Sequence, residues 1–162
     1  MSLLAYLEAT ALSQWLSISM LGFPTLIALH SVGMAVVVGL SLIVALRLNG
    51  VVVTGIDGQL VAKLLTIAAW GFVLNFVTGL ALFITRGADY ITSGIFLIKM
   101  LLVIVSAIIL FWLRERLEPV DSTSRALVAD RLARNLSLVA ATLWFAAVVA
   151  GRLIAYLSDL YR

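Results

Sequence analysis

The sequence predicts an all-α integral membrane protein: a four-helix bundle of transmembrane spans preceded by an amphipathic helix in the membrane interface. Three observations predict it. The 162 residues are 64% hydrophobic and only 12% charged, against roughly half and about a quarter in an ordinary soluble domain. Four stretches reach the ~20 mostly apolar residues that a helix needs to cross the hydrocarbon core. The segments between them are short or polar. A chain of this length makes one transmembrane domain over residues 1–162.

The interfacial helix is expected at about residues 2–18. Leu3, Leu4, Leu7, Ala11, Trp15 and Leu16 recur there at helical spacing, and Ser2, Glu8, Ser13, Gln14 and Ser17 fall largely elsewhere. Tyr6 and Trp15 suit interfacial anchors. Met1–Ser19 carries no Lys or Arg, so the basic region of a signal peptide is missing. The first span runs from about 22 to 46, with Pro24 in the first turn, where it is tolerated. The second runs over about 64–85, the third over 95–113, and the fourth over 136–157, extended at its start by a helix from near Ser124. The connections are 50–59, 86–94 and 114–125, the last broken by Pro119.

Basic residues set the topology. Arg47 and Lys63 flank the first connection, and Arg114, Arg116, Arg125, Arg131 and Arg134 flank the third. The other side has only Arg86 and Arg162. The positive-inside rule then predicts a multi-pass protein of a bacterial inner membrane with the N-terminus and C-terminus periplasmic. With no cysteine there is no disulfide, thiolate metal site, iron–sulfur cluster or c-type haem attachment. A single histidine also excludes the usual hydrolytic triads. The net charge of +3 does not point to nucleic acid. The expected partner is the lipid bilayer, with a homodimer or a larger membrane complex left open.

Three ionisable residues fall inside the spans: His30, Lys99 and Arg152. Each is about one and a half to two turns from the same face of the membrane, on three different helices. A charge within hydrocarbon costs about 2.5–3.5 kcal/mol on insertion scales, and such residues normally face the bundle interior. No acid lies within the spans to neutralise them, so a cluster of this sign wants an anion. Taken singly, His30 suits a hydrogen bond to a neighbouring helix, and Lys99 and Arg152 suit snorkelling to the interface. Small residues offer close helix approach: Ser31, Ala35 and Gly39 in one series, Gly71 and Gly79 about Asn75, and Ala147, Gly151 and Ala155 in another. Gly33 is expected to leave room beside the imidazole. Asn75 and Thr78 can hydrogen-bond across helices, and Trp70, Phe72, Phe76, Phe83 and Phe96 supply flat apolar walls.

A flat, mostly apolar ligand with carboxylates fits this inventory, and haem b is the obvious case. His30 is then the axial iron ligand. Lys99 is a second ligand or a propionate partner, and Arg152 a propionate partner. Met34 lies one turn from His30 on the same face, and Gly33, Asn75 and Thr78 complete the expected site. With one histidine, a bis-His site cannot form within one chain. Scattered Met1, Met20, Met34 and Met100 make poor copper ligation.

The histidine segment LHSVGMAVVVG and the lysine segment IFLIKMLLV resemble HemJ-type protoporphyrinogen oxidases. The wider pattern, with WGFVLNFVTGLALFI and GRLIAY, is similar to small membrane families related to the copper-resistance-D-like group. The likeness runs from about residue 20 to 157. It implies a four-span bacterial membrane protein that binds haem b and depends on His30 and Lys99. The expected function is therefore a b-type haem protein acting in electron transport or as a HemJ-like oxidoreductase. A non-enzymatic accessory subunit that binds lipid or partner helices is the alternative. A small-solute or metal transporter is the remaining one, with no internal repeat to build alternating access on.

Overall fold

The computed structural model describes residues 6, 8–51, 57–117 and 130–160. Among them are five helices: α1 (Ala11–Ile18), α2 (Gly22–Leu48), α3 (Gly58–Ile91), α4 (Gly94–Leu117) and α5 (Arg131–Leu160). Every element among the described residues is a helix, and α2 to α5 are each long and apolar enough to cross a membrane. Their outward faces carry Leu42, Ile67, Trp70, Leu97, Leu101, Phe145 and Val149, a belt of apolar side chains consistent with contact with the lipid bilayer. This is an integral membrane helix bundle.

Side-chain caps start α1, α3 and α5. Thr10 Oγ1 accepts from the backbone N–H of Ser13 at the head of α1 (3.4 Å). Asp57 accepts from Leu60 N–H before α3 (2.8 Å). Asp130 Oδ1 accepts from both Leu132 and Ala133 before α5 (3.1 Å each). Each satisfies donors that the first helical turn leaves open. Helix α2 ends at Asn49 and Gly50, and Gly50 takes φ 71°, a turn that glycine enters without steric cost.

The boundaries differ from expectation where polar sequence is still helix. The expected loop 86–94 is helical through Ile91, leaving Thr92 and Ser93 as the connection to α4. Gly87 is buried and the Tyr90 ring stacks on Phe96 of α4 (5.4 Å), so packing carries the helix past its apolar stretch. Helix α4 likewise continues through Arg114–Arg116 to Leu117, because Leu113 and Leu117 are buried. The expected helix near Ser124, together with Pro119 and Arg125, lies outside the described residues. At the N-terminal side, Tyr6 and Glu8 are helical, but a turn at Ala9 and Thr10 sets α1 apart.

Helix α2 packs most extensively on α3, and α4 on α5. The α2–α5 contact is smaller, and the α3–α4 contact smaller again. The core is correspondingly lopsided. Val44, Leu48, Val61, Leu65, Leu110, Leu113, Leu117, Ala133 and Trp144 are essentially inaccessible. Most of them lie toward one end of the bundle, which also carries Arg47, Lys63, Arg114, Arg116, Arg131 and Arg134; we call it the basic end. There Arg116 Nε lies 3.2 Å from Asp130 Oδ2, and Asn49 Nδ2 donates to the carbonyl of Arg134 (3.3 Å). The opposite half, beneath α1, is opened by a cleft between α3 and α4 that continues to Glu115 near the basic end. Helix α1 docks there by burying Leu16 and Ser13, with Ser13 Oγ donating to the carbonyl of Ile84 (3.2 Å). Its Leu12, Trp15 and Ile18 face outward, as an interfacial helix requires.

Candidate functional site

The cleft has a volume of about 1580 Å³. Its walls are mostly apolar, and His30, Asn75 and Lys99 are among the polar groups that line it. Two groups of rings bridge α3 and α4. At one level Phe83 and Tyr90 stack on Phe96 (5.7 and 5.4 Å between centroids). Nearer the basic end Phe72 meets Phe111 edge-on (5.8 Å) and touches the buried Trp144 of α5 (6.0 Å). This antiparallel register puts Gly79 about level with Met100–Val103.

His30 sits against α3 between those levels. Its Nδ1 is 3.0 Å from the carbonyl oxygen of Asn75 and 3.1 Å from Thr78 Oγ1. A backbone carbonyl can only accept, so Nδ1 carries the proton. The Thr78 hydroxyl donates to the carbonyl of Leu74 (2.7 Å), which leaves its oxygen free to accept from the ring as well. The proton is thereby held on Nδ1, and in the neutral ring Nε2 keeps its lone pair. No described residue bonds to Nε2. Metal-ligating histidines typically donate their other ring N–H to a carbonyl or carboxylate in this manner.

Glycine makes the approach possible. A Cβ on Gly79 would lie 3.0 Å from His30 Cε1 and 3.4 Å from Nδ1. Gly79, rather than Gly33, therefore makes the room beside the imidazole. Gly33 does another job. A Cβ there would fall 2.8 Å from the backbone nitrogen of Asn75 and 2.9 Å from the carbonyl oxygen of Gly71. It brings the α2 and α3 backbones together one turn from His30. Ser31 and Ala35 are exposed and nothing lies within 4 Å of a Cβ on Gly39, so that small-residue series faces away from the helix contact.

Lys99 is half-buried and lies across Gly151 of α5, where a Cβ would sit 3.3 Å from its Nζ. Met34 also lines the cleft. Asn75 is only 5% exposed, and its Oδ1 has no hydrogen-bond partner among the described residues. Arg152 is exposed and does not line the cleft. Trp70 is 70% exposed on the outer surface, whereas Phe72, Phe76, Phe83 and Phe96 line the cleft. Tyr90, Phe111 and Trp112 line it too. These three are not among the expected walls, although the i, i+4 and i+7 spacing of aromatic and small residues along α3 and α4 carries the signal.

Among the described residues no three His, Cys, Asp or Glu side chains gather to hold a metal ion. One free imidazole nitrogen and one amine make no cage for a bare cation. They are a sufficient donor set for a metal that brings its own equatorial ligands. No protein-family profile, curated protein or solved structure matches this chain.

Proposed function

We propose that the chain is a membrane b-type haem protein that holds haem in the cleft between α3 and α4. The observation that carries this reading is the His30 ring, whose Nδ1–H is committed to the Asn75 carbonyl and whose Nε2 is left as the free donor in a large, flat-walled cleft. A porphyrin supplies four nitrogens itself, so a single imidazole suffices where a bare ion would need a cluster. His30 would hold the iron through Nε2. Lys99 would serve as a second ligand or as a cation for a propionate. Phe72, Phe76, Phe83 and Phe96 provide the apolar walls, and Met34 packs on the same side as His30. Arg152, exposed outside the cleft, has no contact in this reading. A buried amide oxygen without a partner costs about 1–3 kcal/mol, and a polar edge of the ligand near Asn75 would offset that cost.

When bound, haem b supplies one-electron exchange at its iron. The chain's own contribution is to hold the proton of His30 on Nδ1 and to exclude water from the site with aromatic rings. Electron transport or a HemJ-like oxidation is the activity that follows. The basic end faces the cytoplasm by the positive-inside rule, which puts His30 and Lys99 in the periplasmic half of a bacterial inner membrane. The test is the absorption spectrum of the full chain purified from haem-replete cells. The reading expects a Soret band that His30→Ala abolishes or shifts. A colourless protein, or a band indifferent to His30→Ala, overturns it. A colourless protein that copurifies with other membrane subunits would favour the accessory-subunit alternative.

A further inference from the structure

We propose that one water molecule is bound in the core of the bundle, between Ser41 of α2, Ser106 of α4 and Trp144 of α5. It joins the α2–α3 pair to the α4–α5 pair. This goes beyond the haem reading and does not depend on it.

Two buried polar atoms need a partner. Trp144 is wholly inaccessible, and its indole Nε1–H has no hydrogen-bond partner among the described residues. Ser41 is 6% exposed, and its Oγ has none either. Other hydroxyls in the spans donate to a carbonyl of their own helix: Thr66 to Ala62, Ser106 to Leu102, Ser137 to Arg134 and Thr142 to Leu138. Ser41 makes no such bond. The indole has no such recourse, because it only donates and its ring holds the N–H away from its own backbone. A buried donor without a partner loses its hydration and gains nothing in return. Ordered waters occupy places where such groups converge.

Helix register brings the three residues to one level. Lys99 of α4 lies across Gly151 of α5. Seven residues toward the basic end along each helix stand Ser106 and Trp144. That is about two turns and about 10 Å on both, so they share the faces of Lys99 and Gly151. Ser41 is placed by a second contact, the bond from Asn49 to the carbonyl of Arg134. From there Ser41 lies about 12 Å back along α2 and Trp144 about 15 Å along α5. Side chains lean toward the N-terminus of their own helix. Helices α2 and α5 run in opposite directions, so Ser41 and Trp144 lean toward each other.

The donor and acceptor count fits water. The Ser106 hydroxyl gives its proton to Leu102 (2.7 Å), so its oxygen is left to accept. A water that accepts from Trp144 Nε1–H and donates to Ser106 Oγ serves both, and Ser41 Oγ supplies its third bond. Three is the usual number for a buried water. No charged side chain is buried among the described residues, so an ion would go uncompensated there. Ala107, Ala140 and Ala147, all buried, border the layer with small side chains.

The full chain, with its tryptophans labelled with nitrogen-15, is placed in phosphatidylcholine nanodiscs. The Trp144 indole signal is the one that Trp144→Phe removes. A nuclear Overhauser cross-peak from that N–H to water is expected, and none from Trp70, which is 70% exposed on the lipid-facing surface. Ser41→Ala should keep the cross-peak, since two partners of the water remain. Ser41→Val, which fills the place, should abolish it while the Trp70 signal stays where it was. Absence of the cross-peak in the parent chain overturns the proposal. So does its survival in Ser41→Val, or its loss already in Ser41→Ala, which would mean that the indole pairs with the serine directly. Thermal unfolding gives a second reading by its sign. Deleting an unpartnered buried hydroxyl raises the midpoint, whereas deleting one that holds a water lowers it. Ser41→Ala should therefore unfold at a lower temperature than the parent and than Ser137→Ala, and an unchanged or raised midpoint overturns the proposal. His30→Ala should leave the Trp144 cross-peak unchanged, so a missing Soret band and a dry core are separable results.

Discussion

His30 of α2 reaches 3.0 Å from the carbonyl oxygen of Asn75 on α3, and it can do so because the next turn of α3 presents Gly79 in place of a side chain. One absent Cβ thus decides which nitrogen of the lone imidazole is free.

Gly79→Ala tests that relationship. The added methyl would meet Cε1 of the ring at 3.0 Å, and the opposing atoms belong to a rigid ring. The ring must shift and its bond to the Asn75 carbonyl must lengthen. Losing the partner that orients a metal-ligating histidine typically costs about 10–100-fold in affinity. Haem titration of the purified variant, followed at the Soret band, should show a loss in that range. Unchanged affinity would mean that the Nδ1 contact does not orient the ligand.

Gly33→Val should act on stability more than on the ring. Its side chain would fall on backbone atoms of Asn75 and Gly71 at under 3 Å, which cannot rotate away. Overpacking a close contact costs about 1–3 kcal/mol. Thermal unfolding in detergent should occur at a lower temperature than for Gly39→Val, a change at a site with open space around it.

Lys99 and Arg152 should separate cleanly. Lys99 lines the cleft and Arg152 does not. A hydrogen bond to a charged group contributes about 1.5–3 kcal/mol, so Lys99→Met should accelerate haem loss by about tenfold or more. Arg152→Met should leave the rate of haem transfer to an apo-globin acceptor unchanged.

Asp130 carries a pH dependence. The N–H of Ala133, with the Arg116 side chain beside it, holds the carboxyl below the usual carboxylate range. A carboxyl with a depressed native pKa stabilises the fold above its unfolded value of ~4, and that contribution is lost as pH falls through the native value. Asp130→Ala should cost about 1 kcal/mol at neutral pH through loss of the cap. Asp130→Asn should retain most of the cap and lose the acid-range dependence. Unfolding midpoints between neutral pH and pH ~3 measure both.

The membrane class is legible in the sequence, because about 20 apolar residues in a row have few other uses. The span at Gly22–Leu48 follows its hydropathy closely. The ends of α3 and α4 do not. Composition marks where hydrocarbon ends, whereas Tyr90 on Phe96 and the burial of Leu117 mark where packing ends.

Within the site, His30, Lys99, Met34, Asn75 and Thr78 stood out as polar or soft groups in an apolar stretch, and four of the five line the cleft while Thr78 bonds the ring. Arg152 stood out for the same reason, yet it lies one residue past the Gly151 that Lys99 covers. One position on a helix turns a side chain by about 100°, at 3.6 residues per turn, and hydropathy does not register that turn in a span apolar on all sides. Which glycine cleared space for the imidazole was equally hidden, since Gly33 and Gly79 are the same residue in similar surroundings of sequence. The sequence alone determined that four helices are long and apolar enough to cross a membrane, with one imidazole, one amine and one guanidinium inside the spans. The tertiary structure decided that the imidazole and the amine share a cleft, because the rotation and register of each helix are set by how its neighbours pack and not by its own composition.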